Sequence, residues 1–217
     1  ITSINLANHI TVTSDFQAGQ IRKWIPKTRT IHNPVDLEFF SPDQTIDTQG
    51  YALAVGRLEQ EKGFDLLIDA VAQVPLIKLK IIGDGSQKKR LQDQVKELGL
   101  ADRVEFLGQQ SRSSVKKWMQ ACQFLVLPSR YETFGNVLLE AMACGKPVVA
   151  TKCGGPQEIV SENVGLLCDI DSQSLAINMN RILSENKRFN SDNIRQYVMD
   201  HFSPTRWISE IEMMLQR

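Results

Sequence analysis

Long apolar runs, paired cysteines and an excess of either charge are all missing from this sequence. No stretch approaches the roughly 20 consecutive apolar residues that cross a bilayer, and no basic-then-apolar leader opens the chain, so neither a helical span nor an export signal is expected. Lysine plus arginine and aspartate plus glutamate each number 25, which leaves no basic footprint for nucleic acid. Cys122, Cys144, Cys153 and Cys168 are widely spaced in apolar contexts and form no C-x-x-C pair. Buried free thiols in a reducing cytoplasm are therefore expected, in place of a disulfide framework or a zinc site. His9, His32 and His201 lack metal-ligand spacing and read as turn or surface residues. Internal repeats and low-complexity tracts are absent too.

What is present is a rhythm. After Gly50, apolar strand, loop and amphipathic helix alternate, with strands expected at 51–55, 77–82, 104–106, 124–127, 147–150 and 165–168. Several are solid apolar runs, which suits a parallel sheet covered on both faces. Phe64, Leu67, Ile68 and Val71 carry the i, i+3, i+4, i+7 spacing of one buried helical stripe. The expectation is α/β: a doubly wound, Rossmann-like parallel sheet of about six strands with helices on both faces, followed by C-terminal helices.

Before that domain, residues 8–15 read as a short strand running into a helix at 15–24, then a strand at 28–32. This looks like the tail of a preceding α/β domain, and the chain starts on Ile1 in mid-pattern, so a longer polypeptide is expected. Asn33-Pro34-Val35-Asp36 turns the chain, and 41–50 is polar and turn-rich, as a linker would be. Helices are expected at 171–184, about 191–201 and 204–216, the last capped by Ser203-Pro204 with Trp207, Ile211 and Met214 as its apolar stripe. The division expected is 1–46 for tail and linker, 47–201 for the main domain and 202–217 for the final helix.

The stretch from Arg130 to Pro147 carries the strongest chemical signal. Glu132 precedes a helix that starts after Gly135 and is apolar on nearly every face, with Glu140 as its only charge. A buried carboxylate needs a protein donor or a ligand hydroxyl pair. Asn136 lies one turn before Glu140 on the same face, and the free amides near Gly135, Asn136 and Val137 form an anion-binding helix start. A ligand with a phosphate for the helix start and a hydroxyl pair for Glu140 meets both demands, and a nucleoside diphosphate has this form.

In an open α/β sheet, ligands sit beyond the carboxyl ends of the strands, so the loops that follow strands matter most. Gly56 to Gly63 carries Arg57 and Lys62, able to grip a diphosphate where a metal would otherwise serve, or simply solvated surface cations. Gly83-Asp84-Gly85 reads as a tight turn or as backbone approaching a ligand, and Leu107-Gly108 as a generic loop or as backbone against a base. The loop from Thr151 to Glu158 divides evenly between a turn and a sugar-side contact. Asp169-Ile170-Asp171 has the D-x-D form of metal-dependent sugar transferases, yet Asp171 stands where the next helix needs a cap. Lys88-Lys89-Arg90 and Lys116-Lys117 read as wetted helix faces, with a peripheral lipid contact left open.

Together these pieces resemble the donor half of the retaining, two-domain GT-B glycosyltransferases of the group 1 family. The likeness rests on Gly56-Arg57-Leu58 with Lys62-Gly63, Gly83-Asp84-Gly85, Glu132 and Glu140 separated by seven residues, and Gly145-Lys146-Pro147-Val148-Val149-Ala150 with Gly154-Gly155. It runs from near Asn33 to the last helix. The resemblance implies that Arg57 and Lys62 hold the diphosphate of a UDP- or GDP-sugar, and that Glu140 holds the ribose. It also implies that Glu132 lies against the sugar, helping to orient it or to stabilise charge at the anomeric carbon. Backbone amides from Phe134 to Val137 reach phosphate and sugar oxygens. Configuration is retained, and neither metal nor cofactor is expected. The acceptor, a glycan or lipid-linked molecule, would be bound by the other half, of which this chain holds only the tail, so turnover by this chain alone is not expected. Asn33-Pro34 replaces the commoner Asn-Gly of such hinges, implying a stiffer one. The competing readings are a stand-alone nucleotide-sugar-binding subunit and a phosphorylase or epimerase on the same fold.

Overall fold

The computed structural model describes residues 10–216. The first elements, β1 (Ile10–Val12), α1 (Asp15–Ile21) and β2 (Thr28–Thr30), form a two-stranded parallel sheet with one helix. Asn8 and His9, placed in the first strand by sequence, lie outside the described residues. Ser14 caps α1 by accepting the Gln17 amide. The helix ends at Ile21, earlier than the expected Trp24, because Pro26 follows, lacks an amide proton and biases its predecessor to extended backbone.

Six parallel strands build the main sheet in the order β5-β4-β3-β6-β7-β8: β3 (Tyr51–Val55), β4 (Lys78–Ile82), β5 (Val104–Gly108), β6 (Phe124–Leu127), β7 (Val148–Thr151) and β8 (Gly165–Cys168). Ala52, Leu53, Ala54, Leu125, Val126, Val148, Val149 and Ala150 are fully buried, which their apolar runs foretell for strands covered on both faces. Helices α2 (Phe64–Ala72), α3 (Lys88–Glu97) and α7 (Ser172–Ser184) pack together, as do α4 (Arg112–Ala121), α5 (Asn136–Ala143) and α8 (Ser191–Phe202). Right-handed crossovers put these two groups on opposite faces of the sheet. The chain fills one side with β4 and β5, then returns to the other with β6. The direction of winding therefore reverses between β3 and β6, and a crevice opens at their carboxyl ends.

A short α6 (Pro156–Ile159) and a terminal α9 (Pro204–Leu215) complete the fold. Asp171 caps α7 by accepting the Ser174 amide at 2.7 Å, so the D-x-D run serves helix initiation. On α9 only Met214 of the expected stripe is buried, while Trp207 stays exposed. All four cysteines are free and buried, and burial pushes the Cys122, Cys144 and Cys168 thiols up to about 12. Among the described residues no helix is long and apolar enough to cross a membrane.

The segment after the turn at Asn33 is anchored to the main domain. Val35 and Phe40 are buried in the core, and the Arg195 guanidinium donates to three backbone carbonyls, those of Leu37 (3.0 Å), Phe40 (2.9 Å) and Ala143 (2.6 Å). One side chain thus ties the 35–40 segment to α5 and α8. Hydrogen bonds to a charged donor contribute about 1.5–3 kcal/mol each and do not simply add. Arg195→Met is expected to lower stability to urea by about 2–4 kcal/mol, while Lys89→Met, on an exposed helix face, shifts it by less than about 0.5 kcal/mol.

Candidate functional site

The crevice between β3 and β6 is walled by the loops that leave those strands. From β3, Gly56-Arg57-Leu58 leads into a 3-10 turn at Gln60–Lys62. From β6, Pro128 to Gly135 leads into α5. Lys62 and Glu132 meet there: Nζ donates to the carboxylate at 2.7 Å, with both side chains more than four-fifths buried. The sequence has one gripping phosphate and the other facing sugar, and the structure pairs them with each other. Arg57 sits on the open rim, its side chain 72% exposed, and donates to Glu61 at 3.1 Å. Arg57, Lys62, Glu132, Gly135, Asn136 and Val137 line one cleft of about 290 Å³.

That cleft is floored by the start of α5. Gly135 takes a positive φ of 104°, and the first amides of the helix have no intrahelical partner, so a positive dipole end faces Lys62 and Glu132. A second, wider cleft adjoins it, with Asn136 common to both, and holds Arg112, Leu139 and Glu140. The Glu140 carboxylate accepts no hydrogen bond from any described residue. Burial raises its pKa to about 7, and the Arg112 charge nearby pulls the other way. Arg112 is itself engaged with Asp36 at 3.1 Å and lies over the Phe39 ring at 4.2 Å. Of the two ways to satisfy Glu140, protein donor or ligand, the described residues supply no protein donor.

Behind the Glu132 loop lie the paired glycines after β7. The Gly155 amide donates to the Glu132 carbonyl at 2.9 Å, and a Cβ on Gly155 would strike the Phe134 backbone. The Phe134 ring stacks on His32 with centroids 5.3 Å apart. Glu158 accepts the amides of Asp15 and Phe16, both at 2.8 Å, and contacts His32 Nε2 at 3.1 Å. The loop from Thr151 to Glu158 therefore supports the site from behind and fixes the start of α1.

Six candidates stand outside both clefts: Phe134, whose ring stacks on His32, and five at the ends of β4 and β5. Gly83 has a φ of 143°, and a Cβ there would strike the Gly56 carbonyl; on Gly85 it would meet Leu58. These glycines let the loop after β4 press against the loop after β3, where the Leu58 amide donates to the Asp84 carbonyl at 2.9 Å. The Asp84 carboxylate turns onto the Gly85 amide and Lys88. Gly108 accepts the Gly83 amide at 2.9 Å, and the Leu107 carbonyl accepts Gln110 at 2.7 Å. Gly83, Asp84 and Gly85 thus brace the basic loop from the side, Gly108 backs Gly83, and Leu107 closes its own turn on Gln110. Among the described residues no three His, Cys, Asp or Glu side chains converge as a metal site would require.

A cation, a helix dipole end and two carboxylates therefore gather at the switch point of a doubly wound sheet. The chain belongs to the family described as glycosyl transferases group 1, which it matches over residues 37–197, and its fold is one half of a GT-B enzyme. Over 120 residues it is 43% identical to an uncharacterised glycosyltransferase, MJ1178, of Methanocaldococcus jannaschii, covering 55% of this chain and 34% of that protein. Over 136 residues it is 36% identical to the lipopolysaccharide core biosynthesis glycosyltransferase LpsE of Rhizobium meliloti, covering 62% of this chain and 39% of the relative. The chain thus spans between a third and two fifths of the length of these relatives. Anabaena Alr3699/HepE, solved with UDP and glucose, superposes with a TM-score of 0.87 at 29% identity, over 99% of this chain and 66% of that one.

The titration of Glu140 is measurable without any ligand. Because the folded state holds this proton more tightly than the unfolded chain, its contribution is favourable at low pH and is lost as pH rises from the ordinary 4.5 to about 7. Wild type is expected to lose about 3 kcal/mol relative to Glu140→Gln between pH 4.5 and 7.5, read by denaturation at a series of pH values. Parallel curves for the two proteins would remove Glu140 as the buried titrating group.

Proposed function

We propose that this chain is the donor-binding half of a retaining, metal-independent glycosyltransferase that moves a sugar from a nucleoside diphosphate to an acceptor in cell-surface glycan synthesis. The observation that carries this reading is the unpartnered Glu140, one turn beyond a helix start that faces a buried lysine. Glu140 takes the ribose hydroxyl pair, which donates to the carboxylate and replaces the missing protein donors. The diphosphate lies along the start of α5, with oxygens on the amides of Gly135 to Val137, and draws Arg57 and Lys62 away from Glu61 and Glu132.

Freed from Lys62, Glu132 faces the sugar and stabilises positive charge at the anomeric carbon as the bond to phosphate breaks. The leaving diphosphate gains negative charge, which Arg57, Lys62 and the helix end receive, the work a metal performs elsewhere. The acceptor hydroxyl forms the new bond on the face the phosphate leaves, and its proton passes to the departing phosphate oxygen, so configuration is kept. The acceptor site, for a glycan or lipid-linked molecule, belongs to the remainder of the polypeptide. We place the reaction in the cytoplasm, at the inner face of the membrane.

Support for a uridine nucleotide comes from the HepE complex, so UDP and uridine are the probes. Arg57→Ala and Lys62→Ala are each expected to weaken UDP by about 1.5–3 kcal/mol in calorimetric titrations while leaving uridine almost unchanged. Glu140→Ala weakens both, since ribose is common to them. Equal losses of UDP and uridine in the Lys62 variant would refute the diphosphate assignment.

A further inference from the structure

Lys62 and Glu132 come from loops 70 positions apart in sequence, and their placement needs a cause. The two loops run side by side because the Arg130 amide donates to the Glu61 carbonyl at 2.8 Å, and the Tyr131 amide reaches the same oxygen at 3.4 Å. Arg130 then turns its guanidinium back across the junction. Nη1 and Nη2 meet the two Asp65 carboxylate oxygens at 2.7 and 2.8 Å, a two-point fork, and Nη1 also donates to the Gln60 carbonyl at 3.1 Å. Asp65 stands in the first turn of α2, directly after Gly63. Gly63 holds a φ of 65°, and a Cβ there would strike the Pro128 carbonyl, so the loops approach as closely as backbone allows.

Neither Arg130 nor Asp65 lines the two clefts, so neither is placed to touch a ligand. Their side chains are one-third exposed or less, and the planar fork fixes an orientation that a single-point ion pair would leave free. We propose that the Asp65–Arg130 fork is a positioning clasp, which locks the 60–62 turn to the 130–132 segment and thereby sets Lys62 against Glu132. This rests on the reading of Lys62 as a diphosphate-binding group. The clasp makes the cation preorganised: with the two loops joined, the diphosphate exchanges one carboxylate neighbour for another anion without ordering a loop.

The test uses Arg130→Lys, which keeps the charge and loses the fork, Asp65→Asn, and Lys62→Ala alone and combined with Arg130→Lys. Two readouts are followed in the whole chain: UDP and uridine affinity by calorimetry, and hydrogen exchange of the Arg130 and Tyr131 amides. The clasp is expected to cost UDP affinity about tenfold when broken in either single variant, with uridine unchanged. The double variant should bind UDP no more weakly than Lys62→Ala. Exchange at Arg130 and Tyr131 should rise about tenfold or more while the β3 and β6 core amides keep their protection.

Unchanged exchange at those amides in both single variants would overturn the clasp. So would additive losses in the double variant, or faster exchange with UDP affinity intact where Lys62→Ala alone weakens UDP. A Lys62→Ala variant that binds UDP normally would instead sink the diphosphate reading, and the exchange data would still decide whether the fork joins the loops.

Discussion

The site depends on one adjacency, that of β3 and β6. Ala52 pairs with Phe124 and Leu53 with Leu125, although the whole of α2, β4, α3, β5 and α4 intervenes in sequence. Parallel strands need long crossovers, and the chain uses this freedom to build one flank of the sheet before it returns for the other. Two consecutive loops in space are then drawn from distant parts of the sequence. Without the full burial of Leu53, Leu125 and Val126 that holds these strands together, the lysine of one loop and the carboxylate of the other would have no common place.

Around that junction the protein keeps polar groups in conditions they would not choose. Lys62 and Glu132 offset one another's desolvation, and Glu140 has no such companion. Leaving a carboxylate in an apolar helix is unfavourable enough to move its proton equilibrium to about 7. Conflicts of this sort, in which a local rule is broken with no internal compensation, mark the positions where a sequence has been shaped for something other than stability. The neighbouring helix start and the shared Asn136 put that conflict beside the positive end of a helix dipole.

The fold was largely legible, because solid apolar runs and turn residues alternate too regularly to suit another class. Bounds shifted for local reasons. Ile77 closes a turn on Val74 and does not start β4, and β5 runs on to Gly108 because a register irregularity at Ile81/Ile82 lets Ile82 pair with it. The carboxylate pair and the two cations were readable as residue types at strand ends. Their partners were not: Lys62 with Glu132 and Asp65 with Arg130 join positions that only the sheet order brings together. Gly83 and Gly85 show a different difficulty. A glycine needed for close approach of another loop leaves the same sequence trace as one needed for close approach of a ligand. The final helix was readable as apolar along one stripe, yet Met214 alone of that stripe is buried.

Glu158 gives the arrangement a mechanical property. Its carboxylate takes the first two amides of α1 and touches His32, while its own turn begins at Gly155, whose amide is bonded to the Glu132 carbonyl. The 10–32 segment and the Glu132 loop are therefore joined by a lever only four residues long. A tug on α1 from whatever it packs against is delivered to the backbone that carries Glu132, so the outer segment acts as a handle on that carboxylate as well as a neighbour to it.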